Sequence, residues 1–412
     1  MRLHKLSREQ TESPGTRRLD TVVDNPRKIK VKELNRRLDM KPPIYLDYNA
    51  TTSVDERVLY RMLPYFSERF GNAASHDHSF GWDAAEAVDE ARDHVAALIN
   101  AQPQEIFFTS GATESISCAL QRVTGLRKPC RLITCLTEHE AVLETCRALE
   151  MSGAIQIDYF PVDGSGRIQS QALTTCLELE AAVLALMIGN NEIGSVHPLR
   201  EAASIAHTRN ACVFSDITQA VGKIPIDVYA EGIDLAAFSA HKIYGPKGIG
   251  ALFIRGGGRE RGPSSGTLNV PGIVGFGEAC RLAKRELQGE AKRVEKLRDK
   301  LEQTLLAEIP EVWINGDKQD RLPNTSNIGF RGVDARTLIR DMNDIAVSTR
   351  SACTSGSAGP SHVLKAIGLT DDEAYSCIRF SLGRFTTEEE IDYALERVIA
   401  SVKKLRQTLA TL

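Results

Sequence analysis

The chain has 412 residues, 42% of them apolar and 25% charged, and a formal net charge of −3. That length accommodates two or three globular units with a large core, and the near-neutral balance argues against broad binding to nucleic acid or to an anionic membrane. Nine cysteines, without a Cys-x-x-Cys pair, fit reduced thiols in a cytoplasmic compartment better than a disulfide framework. No apolar run of about 18 residues marks a membrane span.

The first forty residues are polar and mixed in charge, with a basic excess and without the apolar centre of a secretory signal. Glu9, Glu12, Asp20 and Asp24 argue against an organelle transit peptide, so 1–40 is read as a flexible extension. From about residue 80 the pattern is regular. "WDAAEAVDEARDHVAALI" sets Ala84, Val88, Ala91, Val95 and Leu98 at helical spacing. "EIFFTS" follows as a short buried strand, and "GATESISCALQRV" as a helix entered through Gly111. "RLITCL", "AIQIDYFPV", "AAVLALMIG", "ACVFSD", "DLAAFSA" and "GALFIR" are six further strands, with "HPLREAASIAHTRN" a helix among them. Unbroken apolar strands alternating with helices predict an α/β layer fold, its mainly parallel seven-stranded sheet covered on both faces.

Near residue 285 the pattern changes. "AKRVEKLRDKLEQTLLAEI" sets Val294, Leu297, Leu301 and Leu305 three or four apart and predicts a long amphipathic helix. Strands "SNIGFRG", "IAVST" and "CIRFSL" and helices "DARTLIRDMN" and "EEEIDYALERVIASVKKLRQTL" then suggest a smaller α+β domain.

Four segments carry chemistry. In "FSAHKIYGPKGIGAL", Lys242 lies between a strand and a turn, where a partly desolvated amine becomes a nucleophile; a surface lysine is the ordinary alternative. In "TSGATES", Gly111, Ala112 and Thr113 open a helix whose N–H groups suit a phosphate, or simply cap it. In "CVFSDITQAVGK", Asp216 ends a buried strand and needs a cationic partner, with Gln219 in reach of the same ligand. In "CLTEHEAVLETC", His139 follows a strand, suited to stacking on a flat ring or moving protons, or to a structural bond. Ligands of open α/β sheets bind outside the strands' carboxyl ends, and a phosphorylated aldehyde with a ring nitrogen, held by Lys242, describes pyridoxal phosphate. A fifth stretch, "STRSACTSGSAGPSH", puts Cys353 in a loop composition rather than a core. His76 and His78 flank Asp77 without a third ligand at a telling spacing, so no metal is expected.

The blocks "IYLDYNATTSVD", "FGNAAS", "FTSGATES", "TEHEAVLETC", "GNNEIG", "SDITQAVGK", "SAHKIYGPKGIGALF", "SGTLNVPGIVG", "RSACTSGSAGPSHVLKAIGL" and "IRFSLGRFTTEEEIDY" occur in this order. From about residue 43 to its end the chain resembles the cysteine desulfurases of the IscS/NifS type, in the class V branch of fold-type I pyridoxal-phosphate enzymes. The resemblance implies a cofactor-binding domain over 55–285 and a small domain, 41–54 with 286–412, that carries the cysteine loop. It implies that Lys242 carries the cofactor, Asp216 pairs with its ring nitrogen, His139 stacks on the ring and exchanges protons, and Asn191 and Gln219 bond the ring hydroxyl. Ala112, Thr113, Ser239 and His241 would hold the phosphate, joined by Thr267 from a second subunit of a homodimer. Arg379, with Asn191, would hold the L-cysteine substrate. Cys353 would take the sulfur as a persulfide, release alanine, and hand the sulfur to an acceptor protein for iron–sulfur cluster assembly or nucleic-acid thiolation; apart from the resemblance, the cation of nearby Arg350 is expected to favour the Cys353 thiolate.

The chain departs from the family's pattern in a shortened segment between "FIR" and "GGGRERG", in Ser264 where an Arg is usual, in Arg350 for a Gly and in Ala73 for a Pro. Two other readings stand beside the desulfurase: another class V enzyme such as a selenocysteine lyase or aminotransferase, which does not need Cys353, and a weakly catalytic scaffold.

Overall fold

The computed structural model describes residues 43–126, 130–178, 183–257, 266–349 and 359–410. Twelve strands are formed among them: β1 (Ile44–Tyr45), β2 (Ile106–Thr109), β3 (Cys130–Cys135), β4 (Ile155–Phe160), β5 (Val183–Ala185), β6 (Cys212–Asp216), β7 (Leu235–Ser239), β8 (Gly250–Ile254), β9 (Val312–Asn315), β10 (Thr325–Phe330), β11 (Ile345–Ala346) and β12 (Cys377–Ser381). The principal helices are α1 (Glu56–Met62), α2 (Ser79–Leu98), α3 (Ala112–Leu126), α4 (Glu140–Met151), α5 (Leu199–Thr208), α6 (Val270–Glu308) and α7 (Glu388–Ala410).

The seven apolar strands form one sheet in the order β2-β8-β7-β6-β5-β3-β4. The neighbours from β7 to β4 run parallel, while β8 is antiparallel to both β7 and β2. The alternation of side chains explains why every strand is apolar throughout. On β7, Ala236 and Phe238 enter one buried cluster, while Leu235 and Ala237 enter the other. Apolar faces of α2, α5 and α6 belong to the first cluster, and those of α3 and α4 to the second. A sheet covered on both sides has no solvent face to mark with polar residues. Because β2 lies antiparallel to β8, which is antiparallel to β7, the carboxyl ends of β2, β3, β5, β6 and β7 share one edge.

A second core joins Leu46, Leu301, Ile328, Phe380 and Leu395 among others, beneath the antiparallel sheet β12-β10-β9. The parallel pair β1–β11 ties residues 44–45 to this part, and Thr52 N donates to the His241 carbonyl at 3.0 Å, so 43–55 crosses to the edge of the large sheet.

The long helix begins earlier than its amphipathic period indicates. It starts at Val270, capped by Asn269, and residue 285, where the pattern changes, lies inside it. At roughly 1.5 Å per residue its 39 residues extend about 58 Å. Its first fourteen residues, "VPGIVGFGEACRLA", hide the helical period because they are largely buried, rich in glycine and carry only two charges, Glu278 and Arg281. Gly277 serves close packing: a Cβ there would stand 2.5 Å from Ala91 Cα on α2.

Candidate active site

Lys242, Asp216 and His139 sit at or just beyond the ends of apolar strands of the large sheet. β7 is buried along its whole length, and a short turn, Ala240–Lys242, follows it. Tyr244, at φ +66°, turns the chain away, with its hydroxyl accepting from the Arg384 N–H. Lys242 Nζ then reaches the segment from β1 and donates to the carbonyls of Asn49 (2.5 Å) and Ala50 (2.7 Å).

The end of β7 is also joined to the start of α3. The Ala112 N–H donates to Ser239 Oγ at 2.7 Å, and Thr109 Oγ1 lies 2.8 Å from Ser115 Oγ. Glu114 accepts from the Ser110 N–H, capping this end. Amide hydrogens at a helix start carry partial positive charge and suit an anion. Thr113 and His241 face the same seat. Burial first, then Lys242, Lys247 and Lys223, pull His241 down to about 4, so its ring is neutral near pH 7; Nδ1 lies 3.1 Å from Thr51 Oγ1.

His139 caps α4, its Nδ1 accepting the Ala141 N–H at 3.1 Å, which leaves the proton of the neutral ring on Nε2. Asp216 is 6% exposed and accepts the Thr218 N–H at 2.9 Å. Among the described residues it forms no ion pair, a costly state for a buried carboxylate that an incoming cationic group would relieve. Gln219 donates Nε2–H to the Asn49 carbonyl (2.9 Å), and its Oε1 accepts from Lys223 Nζ (2.5 Å).

Arg379, on β12, is 1% exposed. It donates to the Asn191 carbonyl (3.0 Å) and to Asp47 Oδ1 (2.7 Å), while its Nε has no partner among the described residues. A buried guanidinium that lines a cleft, with a donor left over, suits a carboxylate.

Ala112, Thr113, His139, Asn191, Asp216, Gln219, Ser239, His241, Lys242 and Arg379 thus line one cleft with about 700 Å³ of atom-free space, partly open to solvent. Thr267 is exposed and is not among the lining residues; its expected role concerns the cleft of a second copy. Cys353, Arg350 and Ser264 lie outside the described residues. The two flanks of the cysteine segment are bonded to a lining residue, Arg379, and to the chain neighbours of two others, Asn191 and His139. Ser348 exchanges backbone hydrogen bonds with Arg379, Ser361 Oγ bonds Glu192 Oε2 at 2.5 Å, and His362 Nε2 lies 3.0 Å from the Glu138 carbonyl.

Three contributors carried no role in the sequence. Asn49 lies in "LDYNATT", with no spacing that ties it to residues about 170 positions on. Lys223 reads as the end of a turn, yet burial, followed by the charges of Lys242 and Arg379, holds its amine well below the usual lysine range. Glu138 precedes His139 and is pushed up to about 8, by burial first and then by Asp216; its Oε1 accepts the Met187 N–H at 2.6 Å. His78 has a local use, accepting the Gly81 N–H at the start of α2. No cluster of three metal-ligating side chains occurs among the described residues, and no described helix is long and apolar enough to cross a membrane.

The aminotransferase class-V model matches residues 44–263 and 259–394. A cysteine desulfurase IscS of Anaeromyxobacter sp. (strain Fw109-5) is 47% identical over 382 residues, 89% of this chain and 94% of that one. Among solved structures, a NifS-like protein covers 90% of this chain and 100% of its own, at 38% identity and a TM-score of 0.80. SspA in complex with cysteine covers 84% and 100%, at 32% identity and a TM-score of 0.72. The chain belongs to the class-V aminotransferase family and, within it, to the cysteine desulfurases of the IscS kind.

Proposed function

We propose that this desulfurase uses pyridoxal 5'-phosphate in the Lys242 cleft, converts L-cysteine to L-alanine, and receives the sulfur on Cys353 for delivery to an acceptor protein. The observation that carries the reading is the convergence of a strand-end lysine, a buried carboxylate without an ion pair among the described residues, an anion seat and a buried guanidinium on one cleft, with both flanks of the Cys353 segment bonded to its lining residues or to their chain neighbours.

The residues fit the cofactor. Ala112, Thr113, Ser239 and His241 receive its phosphate, Asp216 its protonated ring nitrogen, Asn191 and Gln219 its hydroxyl, His139 its ring face and Lys242 its aldehyde. When bound, the group supplies an attachment point for the substrate amine and a ring that withdraws electrons from Cα.

The chain's own residues do the rest. Arg379 holds the substrate carboxylate through its fork. Lys242 moves the Cα proton, and the His139 Nε2–H exchanges a proton beside the sulfur. The Cys353 thiolate attacks that sulfur; an S–S bond forms, the Cβ–S bond breaks, and Cβ takes up a proton. L-cysteine and thiol thereby become L-alanine and persulfide without an outside oxidant. Cys353 lies five positions after Ser348, and such a length of chain spans at most about 18 Å.

We also read 55–285 as the cofactor-binding domain and 41–54 with 286–412 as the smaller one. Phe66, Phe70, Phe80 and Trp82, each more than half exposed, support a homodimer in which Thr267 enters the neighbouring cleft.

The test is incubation with pyridoxal phosphate and L-cysteine, followed by alanine assay and mass spectrometry of the Cys353 peptide. One added sulfur atom and stoichiometric alanine are expected, and Lys242→Ala loses both. Undiminished turnover in Cys353→Ala would favour a lyase or aminotransferase instead.

A further inference from the structure

Lys223 stands behind the cleft with a buried amine that the proposed chemistry does not use. Its Nζ contacts two side-chain amide oxygens, Gln219 Oε1 at 2.5 Å and Asn49 Oδ1 at 3.2 Å. The orientation of both amides follows from neighbours that can only accept. Asn49 Nδ2 faces the Asn191 carbonyl (3.1 Å), so Asn49 Oδ1 turns toward Lys223 and Asn324 Nδ2 (2.9 Å). Gln219 Nε2 faces the Asn49 carbonyl (2.9 Å), so Gln219 Oε1 turns toward Lys223. The flipped amide would set its oxygen against the Asn49 carbonyl oxygen and give up the bond that Lys223 Nζ donates to Oε1.

We propose that Lys223 is a positioning residue: it locks Gln219 so that the amide nitrogen, not the oxygen, is presented to the cleft. One of the two Nε2 hydrogens is taken by Asn49, and the other is the donor offered to a ligand. A site built this way selects an acceptor such as an ionised ring hydroxyl and disfavours a donor at that position. The inference rests on the reading that pyridoxal phosphate occupies the cleft. It goes further by assigning the polarity of the Gln219 contact and the residue that imposes it.

The experiment compares wild type, Lys223→Met, Gln219→Ala and the double variant, each stripped of cofactor and titrated with pyridoxal phosphate, following affinity and the visible absorption band of the bound group. Lys223→Met is expected to weaken binding about tenfold and to shift the band, as loss of one oriented hydrogen bond to a charged acceptor would. In the Gln219→Ala background the same change has less than about a twofold effect and leaves the band in place, because the group it orients is gone. Lys223→Leu, equally uncharged, is the second variant and carries the same expectations. An unshifted band in Lys223→Met, or equal weakening in both backgrounds, overturns the proposal while leaving the cofactor reading intact. Wild type that takes up no pyridoxal phosphate overturns both.

Discussion

Lys242 and Gln219 donate to one and the same oxygen: Nζ of the first and Nε2 of the second reach the Asn49 carbonyl at 2.5 and 2.9 Å. The acceptor belongs to a segment that enters from the other core, held there by Asn49 N to Ser381 Oγ (3.0 Å) and by Asn49 Nδ2 to Thr325 Oγ1 (2.8 Å). The two parts of the fold are therefore coupled at the lysine itself.

Asn49→Ala tests that coupling. The backbone carbonyl remains, but the Asn324 amide and the Lys223 amine lose a buried acceptor, and Thr325 Oγ1 and the Asn191 carbonyl lose a donor. A destabilisation of about 2–4 kcal/mol is expected, since several buried polar groups are left short of partners. Urea denaturation measures it. A loss below about 0.5 kcal/mol would show that the network contributes nothing.

Arg379→Lys tests the guanidinium fork. A lysine keeps the charge but cannot serve the Asn191 carbonyl, the Asp47 carboxylate and a third acceptor in one plane. The KM for L-cysteine should rise by about 10- to 100-fold, with a smaller fall in kcat, as expected when ground-state binding is lost. A change in kcat with KM unaltered would place Arg379 outside the substrate seat.

These residues show what was legible in the sequence. The seven strands could be read because burial on both faces makes them apolar without interruption, and the strand-end residues Lys242, Asp216 and His139 stand out against that background. The start of α6 is hidden because its first fourteen residues are largely buried and carry too few charges to mark a polar face and reveal the period. Asn49 and Lys223 were not assigned because their meaning lies in contacts across the fold. Nothing local distinguishes a lysine after a turn from one buried against two amide oxygens.

Gly250→Ala tests the anion seat through packing. Gly250 opens β8 opposite Thr109 and Ser239. A Cβ at this position would meet Phe238 O at 2.6 Å and Gly111 Cα at 2.7 Å, both backbone atoms that cannot swing aside. The start of α3 must then shift from β7, stretching the Ala112–Ser239 bond. Pyridoxal phosphate affinity should fall about tenfold or more, with about 1–3 kcal/mol of stability lost to overpacking. Titration of the cofactor-free variant checks the first figure, and wild-type affinity would refute the steric reading.

His197 gives the fold a pH dependence whose direction follows from its surroundings. It is 3% exposed, and among the described residues neither ring nitrogen has a hydrogen-bond partner. Burial, reinforced by Arg167 and opposed by Asp163, pulls it down to about 4. An unfolded histidine titrates near 6.5. Below about pH 6.5 the unfolded chain therefore takes up a proton that the folded chain refuses until about pH 4. The stabilising difference is complete above the unfolded value and is lost as pH falls through this window, at up to about 1.4 kcal/mol per unit. His241, pulled down to about 4 in the cleft, acts in the same direction. Carboxylates also titrate in the acid part of the range, so the informative quantity is the difference between wild type and His197→Leu. The variant's urea midpoint should depend less on pH between 7 and 4.5, with the two curves converging or crossing as pH falls. Parallel curves across that range would mean that the His197 ring takes up its proton equally well in the folded chain.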